Sequence, residues 1–106
     1  MNSVEKTQLE SRIIETLQTC YDPEIPANIY ELGLVYAIDV GDAGGVEIEM
    51  TLTTPNCPVA TSLPGEVYEK VKVIESVKSV KVDVVWDPPW DSSKMSENAK
   101  LQLGMI

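Results

Sequence analysis

The chain has no histidine among its 106 residues. This absence removes the commonest general base, the Ser–His and Cys–His nucleophile pairs, and every zinc site that needs an imidazole ligand. Only two cysteines are present, Cys20 and Cys57. They are too few for a disulfide framework or for four thiolate ligands, and free cysteines are typical of a reducing compartment. We therefore expect a cytoplasmic protein that is not a hydrolase of the usual kind.

Basic residues are also scarce, with 8 Lys and Arg against 17 Asp and Glu and a formal net charge of -9. Neutralising phosphate needs clustered cations, so neither nucleic acid nor an anionic membrane is an expected partner. The N-terminus lacks the basic stretch and apolar run of a signal peptide, and no apolar run approaches the roughly 18 residues that span a bilayer. We expect a soluble, unexported chain.

Length and hydrophobic periodicity predict the fold. A chain of 106 residues with 43% hydrophobic content fits one globular domain over residues 1–106, with no room for a second core. Leu9, Ile13 and Leu17 recur every fourth residue and predict an amphipathic helix from about Val4 to Cys20. Its start is open, because Asn2 with Glu5 and Thr7 with Glu10 both fit a capping box.

Alternating residues then predict strands. Residues 34–40 and 46–52 flank the five-residue loop G-D-A-G-G, which predicts a hairpin whose inward set in the first strand is Leu34, Tyr36, Ile38 and Val40. A helix follows over 59–74, and Pro64 either bends it or follows a separate first turn, with the helix proper capped by Ser62. Residues 80–86 predict a third strand parallel to the second, and 95–103 a short helix capped by Ser93 or Ser96. The predicted class is α+β, a two-layer domain of order α-β-β-α-β-α with a small mixed sheet.

The segment T-T-P-N-C-P at 53–58 is the strongest candidate for chemistry. Thr54, Pro55 and Pro58 surround Cys57, and Pro58 suits the first position of a helix. Cys57 would then lie at or beside the helix N-cap, where the helix dipole and free N–H groups lower a thiol pKa and favour a nucleophile or metal ligand. The alternative is a small buried side chain that ends a strand.

Other candidates have structural alternatives too. Cys20 lies on the stripe of the first helix that faces the sheet and is assigned to the core. The loop that contains Asp22, Pro23 and Glu24, with Glu31 further on, could assist a metal or accept N–H groups from a partner, but Asp before Pro is also an ordinary turn former. Asn28 followed by Gly33 predicts a capped single turn that ends in a left-handed glycine.

Two tryptophans flank a proline pair in V-V-W-D-P-P-W at 84–90. In the structural interpretation Trp86 closes the core and Trp90, more exposed, pins the tail. In the functional interpretation the two form an aromatic anchor for a partner protein, since Trp is enriched at interface hot spots.

Four motifs in this order resemble one family: D-P-E-I-P-A-N-I-Y-E-L-G-L-V, T-T-P-N-C-P-V-A, W-D-P-P-W and M-S-E-N-A-K-L-Q-L-G. The chain resembles the small SufT-like proteins, which are related to the PaaD protein of phenylacetate catabolism and to a eukaryotic cytosolic iron–sulfur targeting factor. The resemblance covers nearly the whole chain. It implies a non-enzymatic iron–sulfur assembly domain that helps deliver or insert clusters into client proteins.

Carried over by position, the resemblance places the family's reactive cysteine on Cys57 and its acidic loop on Asp22, Pro23 and Glu24. Because clusters are normally held by four ligands, one thiolate implies no stably bound cofactor and only a transient iron or iron–sulfur cluster shared with a partner, a second subunit or a small thiol. Expected partners are iron–sulfur scaffold or carrier proteins and client apoproteins, and a homodimer is left open. The alternatives are a thiol-dependent redox protein and an interaction module in which Cys57 is only structural.

Overall fold

A computed structural model describes residues 2–22, 25, 27–52 and 63–104. The elements are α1 (Ser3–Leu17), β1 (Val35–Val40), β2 (Gly45–Met50), α2 (Leu63–Lys72), β3 (Ser79–Val84) and α3 (Glu97–Gln102), with a 3-10 turn at Ser92–Lys94. The strands form one sheet in the order β1-β2-β3, with β1 antiparallel and β3 parallel to β2. The predicted α+β class and the order α-β-β-α-β-α are confirmed.

Helix α1 starts at the first of the two predicted capping boxes. The Asn2 side chain accepts the Glu5 N–H, and the Glu5 carboxylate accepts the Asn2 N–H. The helix ends at Leu17, three residues before the predicted end. Lys70 of α2 donates to the Thr19 carbonyl oxygen at 3.1 Å just beyond that end. A cation at this place suits the negative end of the helix dipole.

A bulge interrupts the hairpin and changes which residues face inward. Val35 pairs with Met50 and Ala37 with Glu49, so the register shifts at Tyr36. Past the bulge, Ile38 pairs with Ile48 and Val40 with Val46, and both β2 partners are buried. The predicted inward placement of Tyr36 in a regular alternation is therefore wrong, because an extra residue in one strand shifts the phase of the pleat. The loop between the strands is Gly41–Gly44, one residue shorter than predicted.

Helix α2 is described over Leu63–Lys72, and Pro64 is its second described residue. The two predicted alternatives for Pro64, a bend or a separate first turn, both involve residues before Leu63 that lie outside the described residues. Position 62, the predicted cap, lies outside the described residues. Strand β3 then pairs with β2 in the predicted parallel sense, with Ile48 opposite Val82 and Met50 opposite Val84.

One face of the sheet carries the core. α1 contributes Leu9, Ile13 and Leu17, α2 contributes Leu63, Val67 and Val71, and both sets join one buried cluster with Val46, Ile48 and Met50 of β2. This is the two-layer arrangement that the periodicity predicts. In the described ranges, no helix is both long and apolar enough to cross a membrane.

The chain after β3, residues 85–104, is called here the C-terminal arm. Ser96 is the N-cap of α3, and its hydroxyl accepts the Ala99 N–H at 3.1 Å. Ala99 is fully buried and Met95 nearly so. Of the two predicted caps for this helix, Ser96 is the one used, whereas Ser93 belongs to the 3-10 turn before it.

Candidate functional site

Three of the four motifs, those that begin at residues 22, 86 and 95, meet near one end of the sheet, where β1 begins and β2 and β3 end. We call it the motif end. There the Thr51 N–H donates to the Leu34 carbonyl at 2.8 Å, and the Val85 N–H donates to the Met50 carbonyl at 2.8 Å. These two bonds hold the residues before β1, after β2 and after β3 side by side. Motifs far apart in sequence are thus neighbours in space.

The acidic loop enters the motif end through Asp22. The Asp22 side chain is 6% exposed, and one of its carboxylate oxygens accepts the Ile25 N–H at 3.1 Å. Its own N–H donates to the Ala27 carbonyl, and a bridge joins Tyr21 to Asn28. An Asp that accepts from a backbone N–H further along its own loop forms an Asx-type turn. Asp22 therefore shapes this loop.

Most of the predicted site lies outside the described residues. These are Cys57 with Thr54, Pro55 and Pro58, and Pro23 and Glu24 of the acidic loop. The described residues on either side of 53–62 are firmly placed, because Thr51, Leu52 and Leu63 are all buried. The segment that carries Cys57 is thus connected to the core at both of its ends.

Cys20 is fully buried, and its thiol points back to the Thr16 carbonyl, with a sulfur-to-oxygen distance of 3.8 Å. Burial raises the pKa of the Cys20 thiol to about 11; Lys70 opposes this rise and Glu66 adds to it. A thiol with such a pKa is protonated at neutral pH and is a poor nucleophile and metal ligand. The predicted core role of Cys20 is confirmed.

The tryptophans have exchanged the environments expected for them. Trp86 is 47% exposed, whereas Trp90 packs against the core and its indole N–H donates to the Leu32 carbonyl at 2.7 Å. The expectation that Trp86 closes the core is wrong, because β3 ends at Val84 and the chain leaves the sheet before Trp86. Trp90 does pin the tail as expected, but it does so as a half-buried residue.

Several contacts at the motif end involve residues for which the sequence patterns predict no such role. The Ser96 hydroxyl bonds the Glu31 carboxylate, and the Ser96 N–H donates to the Glu31 carbonyl at 2.8 Å. The Tyr36 hydroxyl donates to the Pro88 carbonyl at 2.8 Å. These bonds tie the C-terminal arm to the turn before β1 and to β1 itself. No sequence pattern signals them, because each joins residues more than 50 positions apart.

Gly33 makes this close packing possible. Its φ is +79°, and a Cβ added there would overlap the Lys94 carbonyl oxygen and lie 2.9 Å from its carbonyl carbon. The turn before it is capped as predicted, with the Asn28 side chain accepting the Glu31 N–H at 2.9 Å. Only glycine combines this backbone conformation with such a close approach.

A buried hydroxyl, that of Thr51, lies beside the half-buried Tyr36 at the motif end. The Thr51 side chain is fully buried beside Tyr36, and its hydroxyl makes no bond of normal geometry within the described residues. Burial raises the pKa of Tyr36, and the negative charge of Asp91 raises it further. Both effects favour the protonated form of the Tyr36 hydroxyl.

Within residues 2–22, 25, 27–52 and 63–104, no three Cys, Asp or Glu side chains are grouped so that they could hold a metal ion. Cys20 cannot start such a group, since it is buried and protonated. Cys57, the candidate thiolate, lies outside these ranges.

The α-β-β-α-β-α order and the three-stranded mixed sheet define a class of small α+β domain, and comparison with known proteins gives its family. The family model described as iron–sulfur cluster assembly protein matches residues 10–84, and the chain belongs to this family. A crystal structure of a domain of unknown function from Bacillus anthracis has the same fold, with a TM-score of 0.89, 32% identity, and coverage of 99% of this chain and 100% of that one.

Curated relatives of matching length carry the same kind of name. An Fe-S protein maturation auxiliary factor of Porphyromonas gingivalis is 48% identical over 93% of this chain and 94% of its own length. The auxiliary factor SufT of Staphylococcus aureus is 38% identical over 79% of this chain and 96% of its own length. An iron-sulfur cluster carrier protein of Mycobacterium bovis is 31% identical over 79% of this chain, which covers 22% of that longer protein. The SufT-like resemblance is confirmed.

Proposed function

We propose that this protein is an iron–sulfur maturation factor that helps to deliver or insert clusters into client proteins, with Cys57 as the reactive thiolate. The observation that supports the proposal is the meeting of the three described motifs at the motif end, where β2 ends ten residues or fewer before Cys57 in the sequence. The names of the full-length relatives support the maturation role. The role is one of binding and transfer, not of catalysis.

The cluster is treated as cargo. The Cys57 thiolate donates an electron pair to a cluster iron and displaces one ligand of the donor, while the proton of the thiol goes to solvent. No electron is transferred in this exchange. Since one thiolate supplies one of four ligands, the remaining ligands come from the donor, the client, a second subunit or a small thiol. The name of the carrier protein supports a transient cluster of this kind.

Partner recognition is assigned to the same end of the molecule. Trp86 offers a large exposed aromatic surface beside the exposed Pro88 and Pro89. Exposed Trp is the residue type most enriched at interface hot spots. We propose that Trp86 contacts a scaffold, a carrier or a client, whereas Trp90 holds the arm in place. A cytoplasmic location and a homodimer remain part of the proposal.

The redox alternative is disfavoured by Cys20. A sulfenic acid formed on Cys57 needs a second thiol to resolve it, and Cys20 is the other cysteine of the chain. Cys20 is fully buried with a pKa of about 11, so its thiolate is neither exposed nor populated at neutral pH. The Cys57→Ser experiment decides the other alternative, an interaction module in which Cys57 is only structural.

The test expresses the Cys57→Ser variant in an iron-starved strain that lacks the native gene. Serine is nearly isosteric and is a good N-cap, while its hydroxyl stays protonated at neutral pH and binds iron poorly. We expect the variant to melt near the wild-type temperature and to lose its support of an iron–sulfur dehydratase. Cys20→Ala is the matched control: it removes the other thiol and should retain function at reduced stability.

A well-folded Cys57→Ser variant that fully supports the dehydratase would mean that the thiol is structural. The interaction-module hypothesis would then replace the proposal. Alkylation by iodoacetamide adds a chemical readout, because Cys57 should react faster than the buried Cys20 at neutral pH.

A further inference from the structure

The face of the sheet opposite the core is not covered by any of the described elements. Ala37 and Asp39 of β1, Glu47 and Glu49 of β2, and Lys81 of β3 alternate with core residues and are exposed. Both long helices pack on the other side, where their buried residues join the β2 core. We call this open surface the outer face.

The strand register places like charges opposite one another on the outer face. Asp39 is paired with Glu47, and Glu49 is paired with Asp83. Like charges directly across neighbouring strands are destabilising. The one cation of the face, Lys81, lies opposite Glu47 and 3.8 Å from the Asp83 carboxylate. Four carboxylates therefore share one ammonium group.

Within the described part of the chain, three of these carboxylates form no ion pair: Asp39, Glu47 and Glu49. Three lysines outside this face pair with other acids: Lys6 with Asp42, Lys70 with Glu66 and Lys72 with Glu69. Beside this row lies a shallow depression of about 430 Å³. Its lining includes Asp39, Glu47 and Lys81 of the outer face, together with Gly41, Gly45 and Ser79.

We propose that the outer face is a docking surface for a Lys- and Arg-bearing helix of a partner protein. Charge complementarity selects a cationic partner, and two copies of this acidic face would repel each other. A metal ion is a poor fit, since no three described acidic side chains are grouped to hold one. Neighbouring strands are about 4.8 Å apart, close to the roughly 5–6 Å between helix positions i and i+4, so successive cations of a helix can meet successive carboxylates.

This proposal rests on the maturation role, because that role supplies the protein partner, and it deepens the role by naming a surface for that partner. It does not involve Cys57. The depression accepts the end of one long cationic side chain, while Glu47 and Glu49 meet the next. Binding would also relieve the repulsion between Asp39 and Glu47 and between Glu49 and Asp83. The outer face and the motif end could then hold one partner from two sides of the sheet.

The test uses the full chain and a capped helical peptide of about 20 Ala and Lys residues, with Lys at i and i+4. In a two-dimensional NMR titration at low salt, we expect the amide shifts to concentrate at 37–41, 45–49 and 79–83. Glu47→Gln/Glu49→Gln should raise the apparent Kd at least about fivefold. The matched control is Glu10→Gln/Glu15→Gln, which removes the same charge from exposed positions of α1 and should leave the Kd within about twofold.

Equal weakening by the two double variants, or shifts spread over every acidic surface, would overturn the proposal. So would shifts confined to the motif end. The same variants in the strain lacking the native gene separate this proposal from the maturation role. If the wild-type chain does not support the dehydratase, the maturation role fails while the peptide result stands. If it does and Glu47→Gln/Glu49→Gln supports it equally well, the outer face has no part in that role and the proposal is overturned.

Discussion

Replacing Trp90 by Ala should destabilise the fold more than replacing Trp86 by Ala. Truncating a fully buried Trp costs about 3–5 kcal/mol. Trp90 is half-buried, which reduces that cost, but its loss also removes the 2.7 Å bond to the Leu32 carbonyl and leaves a group of a fully buried residue without its partner. An unsatisfied buried acceptor costs about 1–3 kcal/mol. We expect a total loss of about 2–4 kcal/mol for Trp90→Ala.

Trp86 gives the contrasting case. Its side chain is 47% exposed, and within the described residues no hydrogen bond to its indole is found. Removing a half-exposed aromatic ring that leaves no polar group unsatisfied should cost about 1 kcal/mol. The predicted order of the two costs is the reverse of the order that their sequence positions suggest.

Urea denaturation followed by far-UV circular dichroism measures both variants, because Trp fluorescence would change with the substitution itself. Trp90→Phe retains most of the ring and removes only the N–H donor, so it should account for about 1–2 kcal/mol of the loss. A Trp86→Ala variant that is less stable than Trp90→Ala would refute the assignment. So would a Trp90→Phe variant with wild-type stability, since the bond to Leu32 would then contribute nothing.

Two further predictions concern Gly33 and Cys20. Gly33→Ala should lower the free energy of unfolding by at least about 2 kcal/mol more than Gly104→Ala in the same melts. Both glycines have a positive φ, but only an alanine at position 33 would clash with Lys94. Equal losses for the two variants would exclude the clash. Folding raises the pKa of the Cys20 thiol to about 11, so the protonated thiol makes its full contribution to the free energy of unfolding below about pH 9. That contribution is lost as the pH rises through about 11. The wild type should therefore lose up to about 2 kcal/mol more than Cys20→Ala between those pH values, and parallel curves would contradict this.

The sequence was sufficient for the features that depend on local pattern. The core stripe of α1 follows from Leu9, Ile13 and Leu17, which are all buried. The parallel pairing of β3 follows from a helix between two strands, since a crossover of that kind returns the chain in the same direction. Gly33 was recognisable because a left-handed residue commonly ends a capped turn. Each of these inferences uses residues that are close in sequence.

The sequence was insufficient for features that depend on a single extra residue or on one contact between residues far apart in the chain. A single extra residue at Tyr36 changes the facing of β1, and nothing in the alternation announces it. The environments of Trp86 and Trp90 depend on where β3 ends and on a carbonyl 58 positions away. The bond between Ser96 and Glu31 likewise joins residues that are far apart in the sequence. For Cys57, the decisive property is the geometry of residues outside the described ranges, so its role stays a prediction.

The location of the candidate site nevertheless follows from connectivity alone. Strands β2 and β3 are parallel, so the chain leaves both of them at the same edge of the sheet. Carboxyl edges of parallel strands are where ligand-binding loops gather in α/β proteins, because the connecting loops meet there. The chain therefore continues from β2 toward Cys57 and from β3 toward Trp86 at the same edge of the sheet. Under the proposed function, the Cys57 thiolate and the exposed Trp86 would serve one partner, because both follow strands that end at this edge.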